Sequence, residues 1–386
     1  MSTKPRSHVD DLRGAGRLAV EATRGVTSLV EAMHATIAGG PAILGQPFAG
    51  PARAATGLIY GAVRGVTALV GAGVDRALAQ LAPLLGSSVA GNEREAVLAA
   101  LNGVLGDYLL ETSNPLAIEM TLRCEGKPGS KLLVLVHGSS MSDRQWLQAG
   151  HDHGAALARE LGFTPIYLRY NSGLHISTNG RALADQLEHL VSTWPTAIDE
   201  ITLLGHSMGG LVARSACHAG ADHAWRSHLR ALITLGAPHH GAPLERGGNW
   251  IDLLLGISRY SAPLVRLGMI RSAGVTDLRY GNVLDEHWQG RDRFEYRADD
   301  RTPLPLPAGV RCYAIAGSLS PAAGARERGD GLVSVASALG LHARPELTLA
   351  FPDAHRWVAY GTGHVQLLGS ATVYDALRTW LTSRAT

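Results

Sequence analysis

The segment ITLLGHSMGGLVARSACHA, residues 201–219, sets the tightest limit on what this chain can fold into. Four mostly apolar, strand-forming residues run into Gly205-His206-Ser207-Met208-Gly209 and then directly into an alanine-rich stretch of helical character. A strand that becomes a helix within so few residues needs a backbone close to its neighbours. Glycine permits that because it has no Cβ to collide with them. G-x-S-x-G between a strand and a helix is the pattern of a nucleophile elbow, where the serine occupies a strained turn and its hydroxyl stands clear of the sheet.

The rest of the chain supplies the sheet that such an elbow requires. Strand-like runs follow in order at 117–124, 131–138, 165–170, 201–205, 231–236, 310–317 and 346–351, with helix-like stretches such as GRALADQLEHLVSTW (180–194) between most of them. Strands alternating with helices predict an α/β fold with a mostly parallel central sheet and helices on both faces. The continuous apolar runs LLVLV and LITL suit its central strands.

Composition shifts near residue 115, so we divide the chain into a helical N-terminal region, 1–115, and an α/β domain, 116–386. The first region repeats itself: ATRGVTSLVEA at 22–32 returns as AVRGVTALVGA at 62–72, with Pro41, Pro47 and Pro51 breaking the chain between them. Gly57, Gly61 and Gly65 recur every fourth residue, which lines one helix face with hydrogen atoms and lets another backbone approach. The expected partner of that face is a neighbouring helix or a second subunit, and the other reading is peripheral contact with a membrane or hydrophobic granule.

The totals exclude several classes. With 35 basic and 33 acidic residues the formal charge is +2, and basic clusters interleaved with aromatics are missing, so no nucleic-acid partner is expected. Cys124, Cys217 and Cys312 are far apart and unpaired in spacing, which argues against a disulfide framework or a thiolate zinc site. The N-terminus lacks the features of a secretory signal, and the most apolar stretch, 57–74, carries Arg64 near its middle. A cytoplasmic location, with peripheral membrane association as the variant, is therefore expected. No GxGxxG follows a strand and no phosphate-binding loop is present, so no cofactor is expected. His151-Asp152-His153 and His239-His240 invite a metal reading, but neither cluster has helical i, i+4 spacing or a cysteine partner, and no metal is expected there.

A serine hydroxyl becomes a useful nucleophile only when a base takes its proton and a carboxylate orients that base. Elbow-bearing chains place these in the order serine, acid, histidine. Of the 17 histidines, His355 and His364 follow the expected last strand, and His364 is preferred because it sits between the loop Gly361-Thr362-Gly363 and a closing helix. After the penultimate strand, Asp330 lies between Gly329 and Gly331 and is preferred over Glu327, while Asp353 falls on the wrong loop. A plain Asx turn is the competing role for Asp330. The oxyanion needs two donors, expected from the backbone N–H groups of Met208, after the nucleophile, and Ser139, after the strand at 131–138.

Five segments, VHGSS, GHSMGG, LGAPHHG, GDGLVSVASA and GTGHVQLL, resemble the bacterial lipase and esterase group of α/β-hydrolases in that family's order, over residues 115–386. The resemblance implies the α/β-hydrolase fold, a triad of Ser207, Asp330 and His364, and an oxyanion hole from Ser139 and Met208. The expected activity is carboxylic-ester hydrolysis through an acyl-enzyme, on an acyl-ester small molecule or lipid. An acyltransferase or polyester depolymerase with the same triad is the first alternative, and a non-catalytic membrane- or granule-associated interaction protein the second. Residues 1–115 match nothing in the family's core and are assigned oligomerisation or surface contact. A cap is expected over 244–305, where NWIDLLLGISRYSAPLVRLGMI carries Trp250, Leu254 and Ile257 at helical spacing.

Overall fold

The computed structural model describes residues 91–241, 272–292, 298–324 and 328–382. The N-terminal repeat, the glycines at 57, 61 and 65, Glu327 and much of the expected cap lie outside the described residues.

Seven strands form one sheet in the order β1-β3-β2-β4-β5-β6-β7. They are β1 (Thr121–Cys124), β2 (Lys131–Val136), β3 (Thr164–Arg169), β4 (Glu200–His206), β5 (Leu229–Leu235), β6 (Arg311–Ser318) and β7 (Arg356–Tyr360). Only the edge strand β1 runs antiparallel, with Thr121 opposite Arg169; the other pairs are parallel. Successive residues of a strand face opposite sides, and the core divides accordingly. Leu132, Val134 and Val136 pack with Leu183 and Leu187 of α3 (Ile176–Thr193) and Leu211 and Val212 of α4 (Met208–Ala219). Leu133 and Leu135 pack on the other face with Leu157 of α2 (His153–Leu161) and Val373 and Leu377 of α7 (Ala371–Thr382). Two short helices, α5 (Ala273–Asp277) and α6 (Val335–Ala338), lie in the connections.

The last strand differs from expectation. The run at 346–351 is not a strand: a 3-10 turn covers Pro345–Leu347, and β7 begins at Arg356. Leu347, Leu349 and Phe351 are all buried, so their alternation marks a segment pressed on the core, while β6 takes residues 356–360 as its ladder partner.

Helix α1 (Gly91–Glu111) precedes the composition break and is buried from Ala96 to Gly106. Asn102 ties it to the chain that follows: Nδ2 donates to Leu116 O (2.8 Å) and Oδ1 accepts from Ile118 N (2.8 Å). Among the described residues no helix is long and apolar enough to cross a membrane.

Candidate active site

Ser139, Ser207, Asp330 and His364 all lie just beyond the C-terminal ends of parallel strands, so the topology gathers them at one edge of the sheet. Ser207 follows β4 with φ 54° and ψ −127°, a backbone region that non-glycine residues rarely enter. Its N–H donates to Leu235 O (2.8 Å), and its carbonyl accepts from Gly210 N (3.0 Å), which fixes the turn from both sides. The flanking glycines are sterically required. A Cβ on Gly205 would come 2.5 Å from Gly210 Cα, and one on Gly209 would come 2.5 Å from His137 O.

Asp330 and His364 are both buried and joined by a 2.7 Å bond from His364 Nδ1 to Asp330 Oδ2. The other carboxylate oxygen accepts from Leu332 N (2.9 Å) and Val333 N (2.7 Å), so Asp330 makes the Asx-type turn and holds the imidazole at once. A backbone bond from His364 N to Asp330 O (2.9 Å) ties the two loops a second time. Burial pushes the Asp330 pKa up. The facing imidazole, its hydrogen bond and the two backbone N–H groups outweigh that and hold it below the ordinary carboxylate value. His364 Nε2 is buried with no hydrogen-bond partner, and among the described residues no hydrogen bond yet joins it to Ser207 Oγ.

On the opposite flank, the loop after β2 rests on the elbow: a Cβ on Gly138 would come 3.0 Å from Ser207 Cβ and 3.2 Å from His206 Nδ1. Neither Ser139 N–H nor Met208 N–H donates to another group among the described residues. The Ser139 hydroxyl, 1% exposed, has no partner either.

Sequence reasoning missed the residues that steady this arrangement. His206 Nε2 donates to His364 O (3.1 Å), and its ring lies 4.8 Å from that of His364. Burial first, and then the neighbouring His364, lower the His206 pKa to about 3, so it stays neutral beside the base. Gly236, at φ 58°, leaves the space the acid and base occupy, since a Cβ there would come 3.0 Å from Asp330 Oδ2 and 3.2 Å from His364 Nδ1. The LGAPHHG motif contained that glycine but gave no hint of its neighbours. His355 lies before β7, at the opposite end of the sheet, where Nδ1 donates to Cys312 O (3.0 Å).

The histidine clusters have hydrogen-bonding roles. His153 Nε2 donates to Leu367 O (2.9 Å) beneath the His364 loop, and its Nδ1 accepts from His151 Nε2 (2.9 Å). His239 Nδ1 accepts from the buried Arg214 guanidinium (3.2 Å), and its Nε2 donates to Thr234 Oγ1 (3.3 Å).

Residues 127–293 match the family model described as a PGAP1-like alpha/beta domain. No curated protein matches the chain. Solved structures with a similar course include the mature form of a Bacillus licheniformis lipase, 18% identical over 68% of this chain and 98% of that one, with a TM-score of 0.44. An esterase from Rhodococcus sp. is 18% identical over 69% of this chain and 95% of its own, with a TM-score of 0.41. An esterase from Pyrococcus furiosus is 14% identical over 69% and 87%, with a TM-score of 0.38. At such identities likeness does not extend to the reaction. The family match spans the stretch from β2 through the elbow to α5, and the strand order carries the assignment onward to β6 and β7: the chain is an α/β-hydrolase, similar to bacterial lipases and esterases.

Proposed function

We propose that this chain is a serine carboxylic-ester hydrolase. The observation that carries the reading is the buried Asp330–His364 pair, whose Nδ1 is engaged and whose Nε2 is vacant, at the same sheet edge as the strained Ser207. In the proposed reaction, Ser207 Oγ attacks the ester carbonyl while its proton passes to His364 Nε2. Asp330 keeps the proton on Nδ1 and stabilises the imidazolium, and the oxyanion is received by the N–H groups of Ser139 and Met208. Collapse breaks the C–O bond, and His364 returns the proton to the leaving alcohol. Water, deprotonated by the same imidazole, then attacks the acyl-enzyme and frees the acid.

A soluble acyl ester or a lipid would serve as substrate, and we place the reaction in the cytoplasm, in keeping with Cys217 and Cys312 as buried free thiols. The test is release of p-nitrophenol from a series of esters from acetate to palmitate, by the wild type and by Ser207→Ala. Turnover that survives the substitution sinks the proposal, and the chain length giving the highest kcat/KM names the acyl group. Adding an alcohol and finding a new ester in place of the free acid would move the reading to acyl transfer.

A further inference from the structure

Gly103 lies inside α1, where glycine costs about 1 kcal/mol relative to alanine. What occupies the space of its absent side chain is the loop beneath the oxyanion donors. A Cβ on Gly103 would overlap Ser140 Oγ and come 2.8 Å from both Ser140 Cα and Ser140 Cβ. The hydroxyl could rotate away, but the Cα could move only with the backbone. Ser140 follows Ser139 and stands at φ 58°, a conformation that a non-glycine residue keeps only where its surroundings enforce it.

Those surroundings close on the loop from three sides. Ser140 N donates to Ser172 Oγ (3.0 Å). The turn bearing Ser172 is itself gripped by α1: Asn171 Nδ2 donates to Gly106 O (2.8 Å), and a Cβ on Gly173 would come 2.7 Å from Gly106 N. From the third side, Ser272 Oγ donates to Gly103 O (2.6 Å), and Gly274 N donates to Gly173 O (3.0 Å).

We propose that Gly103 is a positioning residue for the oxyanion hole, letting α1 back directly onto Ser140 and so fixing the Ser139 N–H for the developing charge. The inference rests on the ester-hydrolase reading. Donors act only at defined distances, and a shift of about 1 Å can cost about a hundredfold in rate. In Gly103→Ala, kcat should fall about tenfold or more while KM stays within about twofold. Binding of a boronic acid, which forms a tetrahedral adduct on the serine, should weaken by a similar factor.

Ser140→Gly removes most of the collision and tolerates the positive φ, so the Gly103→Ala/Ser140→Gly pair should recover kcat to within about threefold of Ser140→Gly alone. If Gly103→Ala does not fold by itself, that last comparison decides, and a tenfold deficit in the pair overturns the proposal. Asn102→Ala is the structural control: it cuts the ties to Leu116 and Ile118 without touching Ser140, and should lower Tm while leaving kcat within about twofold. Unchanged kcat in Gly103→Ala, or a loss that Ser140→Gly does not relieve, defeats the positioning role. Wild-type protein with no Ser207-dependent ester turnover would instead defeat the reaction on which it rests.

Discussion

Asp330 and His364, on the β6–β7 side of the elbow, are bonded to each other and to their surroundings, whereas Ser139 and Met208, on the other flank, leave their N–H groups idle. The difference follows from when each group acts. A base must hold one tautomer and one orientation before the substrate arrives, so its carboxylate partner is fixed by backbone N–H groups. Donors for an oxyanion must be unspent in the resting protein, so that charge forming on the substrate meets them without rearrangement. Buried polar groups without partners are costly, and here they cluster where the proposed reaction generates charge.

The sharpest way to break this contrast is to remove the groups it is built around. Ser207→Ala should lower turnover by about 10⁴-fold or more, and His364→Ala about as much, because members of a triad act as a unit. Both are read by p-nitrophenol release, with circular dichroism to confirm the fold. Asp330→Asn should lower kcat by about 10³- to 10⁴-fold, since an amide favours the wrong tautomer. Because the amide oxygen can still accept from Leu332 and Val333, Tm should move far less, and a collapse in Tm matching the loss in kcat would make Asp330 chiefly a turn residue.

Gly236→Ala crowds the paired side alone: we expect about 1–3 kcal/mol of destabilisation from the φ of 58° and about a tenfold loss in kcat. Wild-type values for both would show that the space around Oδ2 is not required. Protonation is a gentler probe. Burial lowers the pKa of His137 and His153 to about 4 and, with His364, that of His206 to about 3, against about 6.5 in the unfolded chain. Between those values the unfolded chain binds more protons, so Tm should fall as pH drops from about 6.5 toward 4 and be flat above about 7. Asp330 adds a loss at lower pH still, beginning near the unfolded value of about 3.9 and continuing down through its depressed folded one. A Tm that rises on acidification through the first window would contradict the neutral, buried state of the three imidazoles. The smallest effect belongs to His355→Ala, at the far end of the sheet, where kcat should stay within about twofold.

What the sequence disclosed was whatever a short window encodes. Ser207 announced itself through glycines whose Cβ atoms would strike backbone, and Asp330 and His364 through their places after successive strands. The error over the last strand has a physical source. Leu347, Leu349 and Phe351 alternate because their segment is half buried, and only the pairing of Ala314 with Arg356 decides which segment joins the sheet. His206 was read as a spacer, since nothing local says its ring reaches the carbonyl of a residue 158 positions away. Gly103 could not be found at all, because its neighbour Ser140 meets it only once α1 has docked.

The docking of α1 bears on how the protein should be trimmed. A truncated gene starting at residue 116, where composition suggests a natural cut, would retain every atom meant to touch an ester yet discard the wall behind one of them. Cutting upstream of residue 91 keeps that wall, and the two fragments, compared side by side, would separate owning the right chemical groups from holding them still.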